Sequence, residues 1–151
     1  MKAALVVSVV ALSGGASGCS SQSCTAVGCL DGIHITVAGF TAKFTSLPVT
    51  LAVCVGGACE SFQVLKTGAA PECKALSATT SGCAIDGQGT LVLTGLPLPS
   101  GVAGSVSVTA TVTDKSAAVL YKGMSTASVT TSEPNGPGCG VCESAAAAFA
   151  P

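Results

Sequence analysis

The chain predicts an all-β fold: an antiparallel, immunoglobulin-like β-sandwich of about seven short strands, stapled by disulfides. Three observations carry the prediction. Val106, Val108, Ala110 and Val112 interleave with Ser105, Ser107, Thr109, Thr111 and Thr113, and such period-two alternation buries one face of a strand and wets the other. Gly56-Gly57 separates two apolar alternating runs, which is a two-residue hairpin signal. Nine cysteines fall in 151 residues that hold no Trp, one Tyr and four Phe, so a core of Val, Leu, Ile and Ala gains from covalent support.

The elements follow in chain order. Over residues 32–38, Ile33, Ile35 and Val37 share one face and His34 and Thr36 the other; residues 41–44 count as a further short strand. In the hairpin over 48–65, a turn at Gly56-Gly57 sets Val49 opposite Val64, Leu51 opposite Phe62 and Cys54 opposite Cys59. That register also puts Glu60 on the apolar face. Leu91-Val92-Leu93 is a short apolar strand, and 105–113 is the cleanest of all. Asp114-Lys115-Ser116 turns the chain into 117–122, with 125–131 continuing past a bulge at Gly123. Pro134-Asn135-Gly136-Pro137-Gly138 then reads as a linker, and 144–150 as one or two helical turns. The folded unit is expected over 29–131, with 132–151 a Pro/Gly linker and a cysteine-containing, Ala-rich tail. Strands separated by Gly/Pro/Ser turns are what a sandwich needs, although the Cys…Trp…Cys spacing of true immunoglobulin domains is absent.

The N-terminus has the layout of an export signal: Lys2, an apolar middle of ten residues from Ala3 to Leu12, and small residues from Ser13 to Gly18. A bilayer-spanning helix takes about twenty residues, so the stretch reads as a cleaved signal over 1–18. Ala16-Ser17-Gly18-Cys19 closes it and resembles the lipobox of bacterial lipoproteins, with Ala16 where Leu is commoner. The resemblance implies lipidation of Cys19, a short tether over 19–28, and, with Ser20 next, the outer membrane. Cysteine parity agrees. Setting Cys19 aside leaves Cys24, Cys29, Cys54, Cys59, Cys73, Cys83, Cys139 and Cys142, enough for four bridges in an oxidising compartment. Hairpin geometry favours Cys54 with Cys59, a narrow cross-strand pair. Cys73 and Cys83 bracket a loop of Ser, Thr and Gly and make the second pairing. The remaining four can pair locally or can join the N-terminal segment to the C-terminal one.

Charge excludes one class of partner. There is no Arg, and Lys2 aside, five lysines stand against seven acidic residues in the whole chain. Neutralising phosphates takes clustered Lys and Arg, so nucleic acid is not an expected partner.

Candidate chemistry is sparse. Cys139-Gly140-Val141-Cys142 resembles the Cys-x-x-Cys of thioredoxin-like proteins, which sits at a helix N-terminus where the dipole lowers a thiol pKa. Here only Glu143 to Pro151 follow it, so no further strands complete that fold. The close cysteine pairs also suit zinc, but exported thiols oxidise and four bridges use them all. His34, the lone histidine, is expected to be solvated among Thr and Ala. With no Gly-x-Ser-x-Gly elbow, no catalytic residue is assigned. Asp31-Gly32 and Asp86-Gly87-Gln88-Gly89 are turns lacking calcium-loop spacing, and no phosphate-binding glycine loop occurs. The adjacent Cys-Cys pairs of hydrophobins are missing. The mature part resembles small cysteine-rich envelope lipoproteins of unknown role, through Cys29-Leu30-Asp31-Gly32 and Pro134-Asn135-Gly136-Pro137-Gly138-Cys139. The sequence thus predicts a non-enzymatic, lipid-anchored structural or binding module without cofactor or metal, meeting an envelope protein or glycan. A periplasmic thiol–disulfide protein using Cys139 and Cys142 is the alternative.

Overall fold

The computed structural model describes residues 31–68, 70–77, 81–137 and 139–151. Cys19, Cys24, Cys29 and the stretches expected as signal segment and tether lie outside the described residues. Among the described residues nine strands form the fold: β1 (Gly32–Val37), β2 (Val49–Val55), β3 (Ala58–Thr67), β4 (Ala70–Ala75), β5 (Gly82–Ile85), β6 (Leu91–Leu96), β7 (Ser105–Thr113), β8 (Val119–Ser132) and β9 (Cys142–Phe149). They run in one sheet in the order β4-β3-β2-β7-β8-β9-β1-β6-β5. The two ends of that order, β4 and β5, come side by side, so the sheet curls almost into a closed barrel.

The all-β class holds, and the seven-strand immunoglobulin-like sandwich does not. The reason is β8, which is 14 residues long. Its first part pairs with β7 as far as Ser128, and its last part, Val129 to Ser132, pairs with β9. One strand therefore carries the sheet around the corner that a sandwich would cut in two.

β2, β3 and β7 are as expected. The hairpin places Val49 opposite Val64, Leu51 opposite Phe62 and Cys54 opposite Cys59. On β2 the odd residues are buried, and on β7 Val106, Val108, Ala110 and Val112. These side chains, with Ile33, Ile35, Leu91 and Leu93 from the other half, fill the barrel as a packed core.

Other expectations change. Residues 41–44 are not a strand: Phe40–Lys43 is one turn of helix, α1, at the upper end of the barrel. Phe40 is fully buried there and stacks near Phe44, whose ring in turn meets Tyr121, with centroids 4.8 and 6.5 Å apart. The apolar spacing i, i+4 was the missed helical signal. The bulge expected at Gly123 lies instead at Leu120, the extra residue between the Val112–Tyr121 and Thr113–Val119 pairs. Gly123 pairs regularly with Ala110, and the Tyr121 ring lies over it, so a Cβ there would collide with that ring and crowd Phe149.

The largest correction concerns the tail. Residues 142–149 form no helix; they are β9, which lies between β8 and β1. Its pairing with β1 is parallel, from Gly32 opposite Ser144 to Val37 opposite Phe149, so the sheet is not wholly antiparallel. Ala145, Ala147 and Phe149 alternate into the core with period two. A run of alanines suits a helix by propensity, and tertiary pairing overrides it.

Candidate functional site

The outer face of β8, β9 and β1 brings several hydroxyls together with the single histidine. Along β8, Thr126, Ser128 and Thr130 point outward and are exposed, while Ala127 between them is buried. On β9, Ala146 and Ser144 are in phase with that face. The parallel register brings His34 beside Ala146. Together these residues line a groove of about 550 Å³ where β8 bends from β7 towards β9. The small side chain of Ala146 leaves room over its floor.

The hydroxyls are partly committed. The Thr130 hydroxyl donates to the Ser144 carbonyl at 3.2 Å, and the Thr130 and Ser144 hydroxyls lie 3.1 Å apart. His34 is half-buried rather than fully solvated. Among the described residues no carboxylate lines the groove, and none is there to orient the imidazole as a general base. What the groove can do is exchange hydrogen bonds with a neutral polar group through hydroxyls and one imidazole.

A second groove, at the lower end, is lined by Asp31, Gly32, Gly95, Pro97, Leu98, Val141 and Glu143. The Asp31 carboxylate already accepts the Glu143 backbone N–H at 2.9 Å, which ties the entries of β1 and β9 together. Among the described residues no group of three or more His, Cys, Asp or Glu is placed to hold a metal ion.

The cysteines that can be followed are oxidised. Cys54–Cys59 is a disulfide across the β2–β3 hairpin, with Cα atoms 3.9 Å apart. Cys73–Cys83 is a disulfide between β4 and β5, with Cα atoms 5.6 Å apart. Both pairings match the sequence expectation, but the second does more than close a loop: it joins the two ends of the nine-strand order. Cys139 and Cys142 are also disulfide-bonded. Cys142 opens a strand and not a helix, so the dipole that activates a Cys-x-x-Cys thiol has no source here.

Sequence reasoning did not single out Thr126, Ser128, Thr130 and Ser144. Their alternation was visible, but which strands lie beside His34 depends on the parallel pairing of β1 with β9, for which no local signal exists. Glu60, flagged as a discord, does face inward opposite Val53, and one of its carboxylate oxygens is buried without a hydrogen-bond partner. Comparison with family models, curated proteins and solved structures finds no match.

Proposed function

We propose that this protein is a non-enzymatic binding or structural module of the bacterial cell envelope, held there by lipid on Cys19, with the outer membrane as its destination. The observation that supports this most is the Cys73–Cys83 bridge across the seam of the barrel. A fold whose sheet is closed by a disulfide suits an oxidising compartment and is poorly served by a reducing one. The export-signal layout before Cys19 and the odd cysteine count point the same way.

The binding face we favour is the groove around His34, Thr126, Ser128, Thr130 and Ser144, and its hydroxyl-rich, uncharged lining fits a glycan or a polar loop of an envelope protein. A redox role for Cys139 and Cys142 is the weaker reading, because the strand that follows them offers no thiolate stabilisation.

Intact mass of the native protein, with thiol counting, tests the proposal. The expected result is a lipid-sized mass increase on Cys19 and no free thiol. An unmodified mature N-terminus overturns the anchor. A readily reduced bridge at Cys139 or Cys142, with the others resistant, moves the assignment to the redox reading.

A further inference from the structure

The sheet splits beside β8, and the split leaves a strand edge without a neighbour. β8 pairs with β7 from Val119 to Ser128, but with β9 only from Val129 to Ser132. The Val129 N–H donates to the Gly104 carbonyl, on the β7 side. In an antiparallel strand both backbone groups of a residue point the same way, and the direction alternates from residue to residue. Gly123, Ser125 and Ala127 therefore bond towards β7, while Lys122, Met124, Thr126 and Ser128 aim their N–H and C=O groups away from it. Among the described residues no backbone group meets them on that side.

We propose that this edge receives an extended segment of another envelope protein as an added strand, antiparallel to β8. Such a strand satisfies the outward backbone groups, and alternate side chains set its specificity. The same four residues present the side chains it would meet, since all four are exposed on the outer face. Met124 is 77% exposed, with Thr109 beside it on β7 and no strand on its other side. Lys122 stands next in the row, and residues 119–128 contain no Asp or Glu. The segment that fits carries an acid opposite Lys122, an apolar residue opposite Met124, and hydroxyls opposite Thr126 and Ser128. A second copy of β8 brings another Lys122 and no acid, so the lysine guards the edge against pairing with itself. Thr126 and Ser128 also line the His34 groove. The inference thus rests on the reading of that groove as the binding face, and commits it to polypeptide rather than glycan.

The probe is a fluorescein-labelled peptide in which threonine, threonine, valine and glutamate alternate with alanine, so that they face Ser128, Thr126, Met124 and Lys122 in turn. It is titrated into the whole detergent-solubilised protein, with anisotropy and amide hydrogen exchange as readouts. Saturable binding is expected, with exchange slowed at Lys122, Met124, Thr126 and Ser128. Met124→Pro removes an outward N–H and keeps the β7 ladder, and should weaken binding about tenfold. Met124→Ala keeps that donor and should lose less. N-methylating the threonine, valine and glutamate residues of the peptide removes the donors aimed at β8 without altering the protein, and should abolish binding. Equal binding of the methylated peptide, exchange slowed in another strand, or no saturable binding overturns the added strand. The His34 imidazole resonances report the groove separately. A shift there with unchanged exchange on β8 overturns the strand and keeps the groove; if neither the peptide nor chitotetraose moved them, the groove reading would fall as well.

Discussion

The two halves of the barrel are built by different rules. The β4-β3-β2-β7-β8 half is antiparallel throughout, and its neighbours are joined by short turns except between β2 and β7. Its core is mostly valine, with Val49, Val53, Val55, Val64, Val108 and Val112 buried beside Phe62 and Leu51. The β9-β1-β6-β5 half rests on a parallel pair between strands at opposite ends of the described chain, filled partly by Ala145 and Ala147. Apolar burial scales with side-chain area, and both halves draw on it, the first through Phe62 and Leu51 and the second through Ile33, Ile35, Leu91 and Leu93. The second leans on pairing between distant segments, whose loop closure is costly in entropy, and on covalent links.

The most direct way to break this comparison is at Phe62. It is fully buried, pairs with Leu51 on one side and Ala75 on the other, and anchors the first half. Phe62→Ala should cost about 3–5 kcal/mol, read as a fall in the urea midpoint. An Ala147→Gly change in the second half removes a single methyl and should cost much less. Equal losses would mean that backbone effects at β9, and not the volume removed, set the cost.

Opening the seam comes next. Replacing Cys73 and Cys83 together by Ser should cost about 2–3 kcal/mol, the chain-entropy value for a short loop. It should also raise hydrogen exchange along β4 and β5, the two strands that each have a neighbour on one side alone. Replacing Cys54 and Cys59 closes off no seam, because the β2–β3 ladder of seven residue pairs remains. Exchange should then rise only near Gly56-Gly57. If both double variants raised exchange in the same strands, the seam would not depend on its bridge.

How much of this was legible follows from which half a residue occupies. The register of β2 against β3 could be read from Gly56-Gly57 because a two-residue turn and a period of two leave one alignment that buries Leu51 and Phe62 together. β4 and β5 were missed because Pro71, Glu72 and Lys74 interrupt any apolar run, and edge strands need bury little. β9 was missed because Ala-rich sequence has low β-propensity and acquires its strand geometry from β1 and β8. The candidate groove inherits that blindness. His34 and the β8 hydroxyls are each readable alone, but their meeting is a property of the parallel register.

Glu60 gives a prediction of opposite sign. Its inward position was legible from the hairpin, and its unpartnered buried oxygen makes it a local conflict within the antiparallel half. Glu60→Val replaces a poorly solvated carboxylate with a β-branched side chain opposite Val53, and should stabilise by about 1 kcal/mol. A loss of stability would mean that the carboxylate makes a favourable interaction in solution.

The smallest expected effect concerns the turn that links β7 to β8. One Asp114 carboxylate oxygen accepts the Ser116 hydroxyl at 2.7 Å and the backbone N–H groups of Ser116 and Ala118 at 2.8 and 2.9 Å. These bonds, the Ser116 hydroxyl foremost, hold the carboxyl pKa below its ordinary value, with a lesser contribution from Lys115. A carboxyl whose folded pKa lies below its unfolded pKa binds fewer protons when folded. Its stabilisation is therefore complete above the unfolded value and fades as pH falls through the folded one. Asp114→Ala should lower the urea midpoint slightly at neutral pH, and the gap from the parent should close on acidification below the ordinary carboxylate range. Ser116→Ala keeps the charge and both backbone donors while removing the leading cause, so it should shrink that acid loss and bring it to completion at a higher pH. A gap that stayed constant with pH would show that the turn depends on chain geometry and not on the ionised carboxylate.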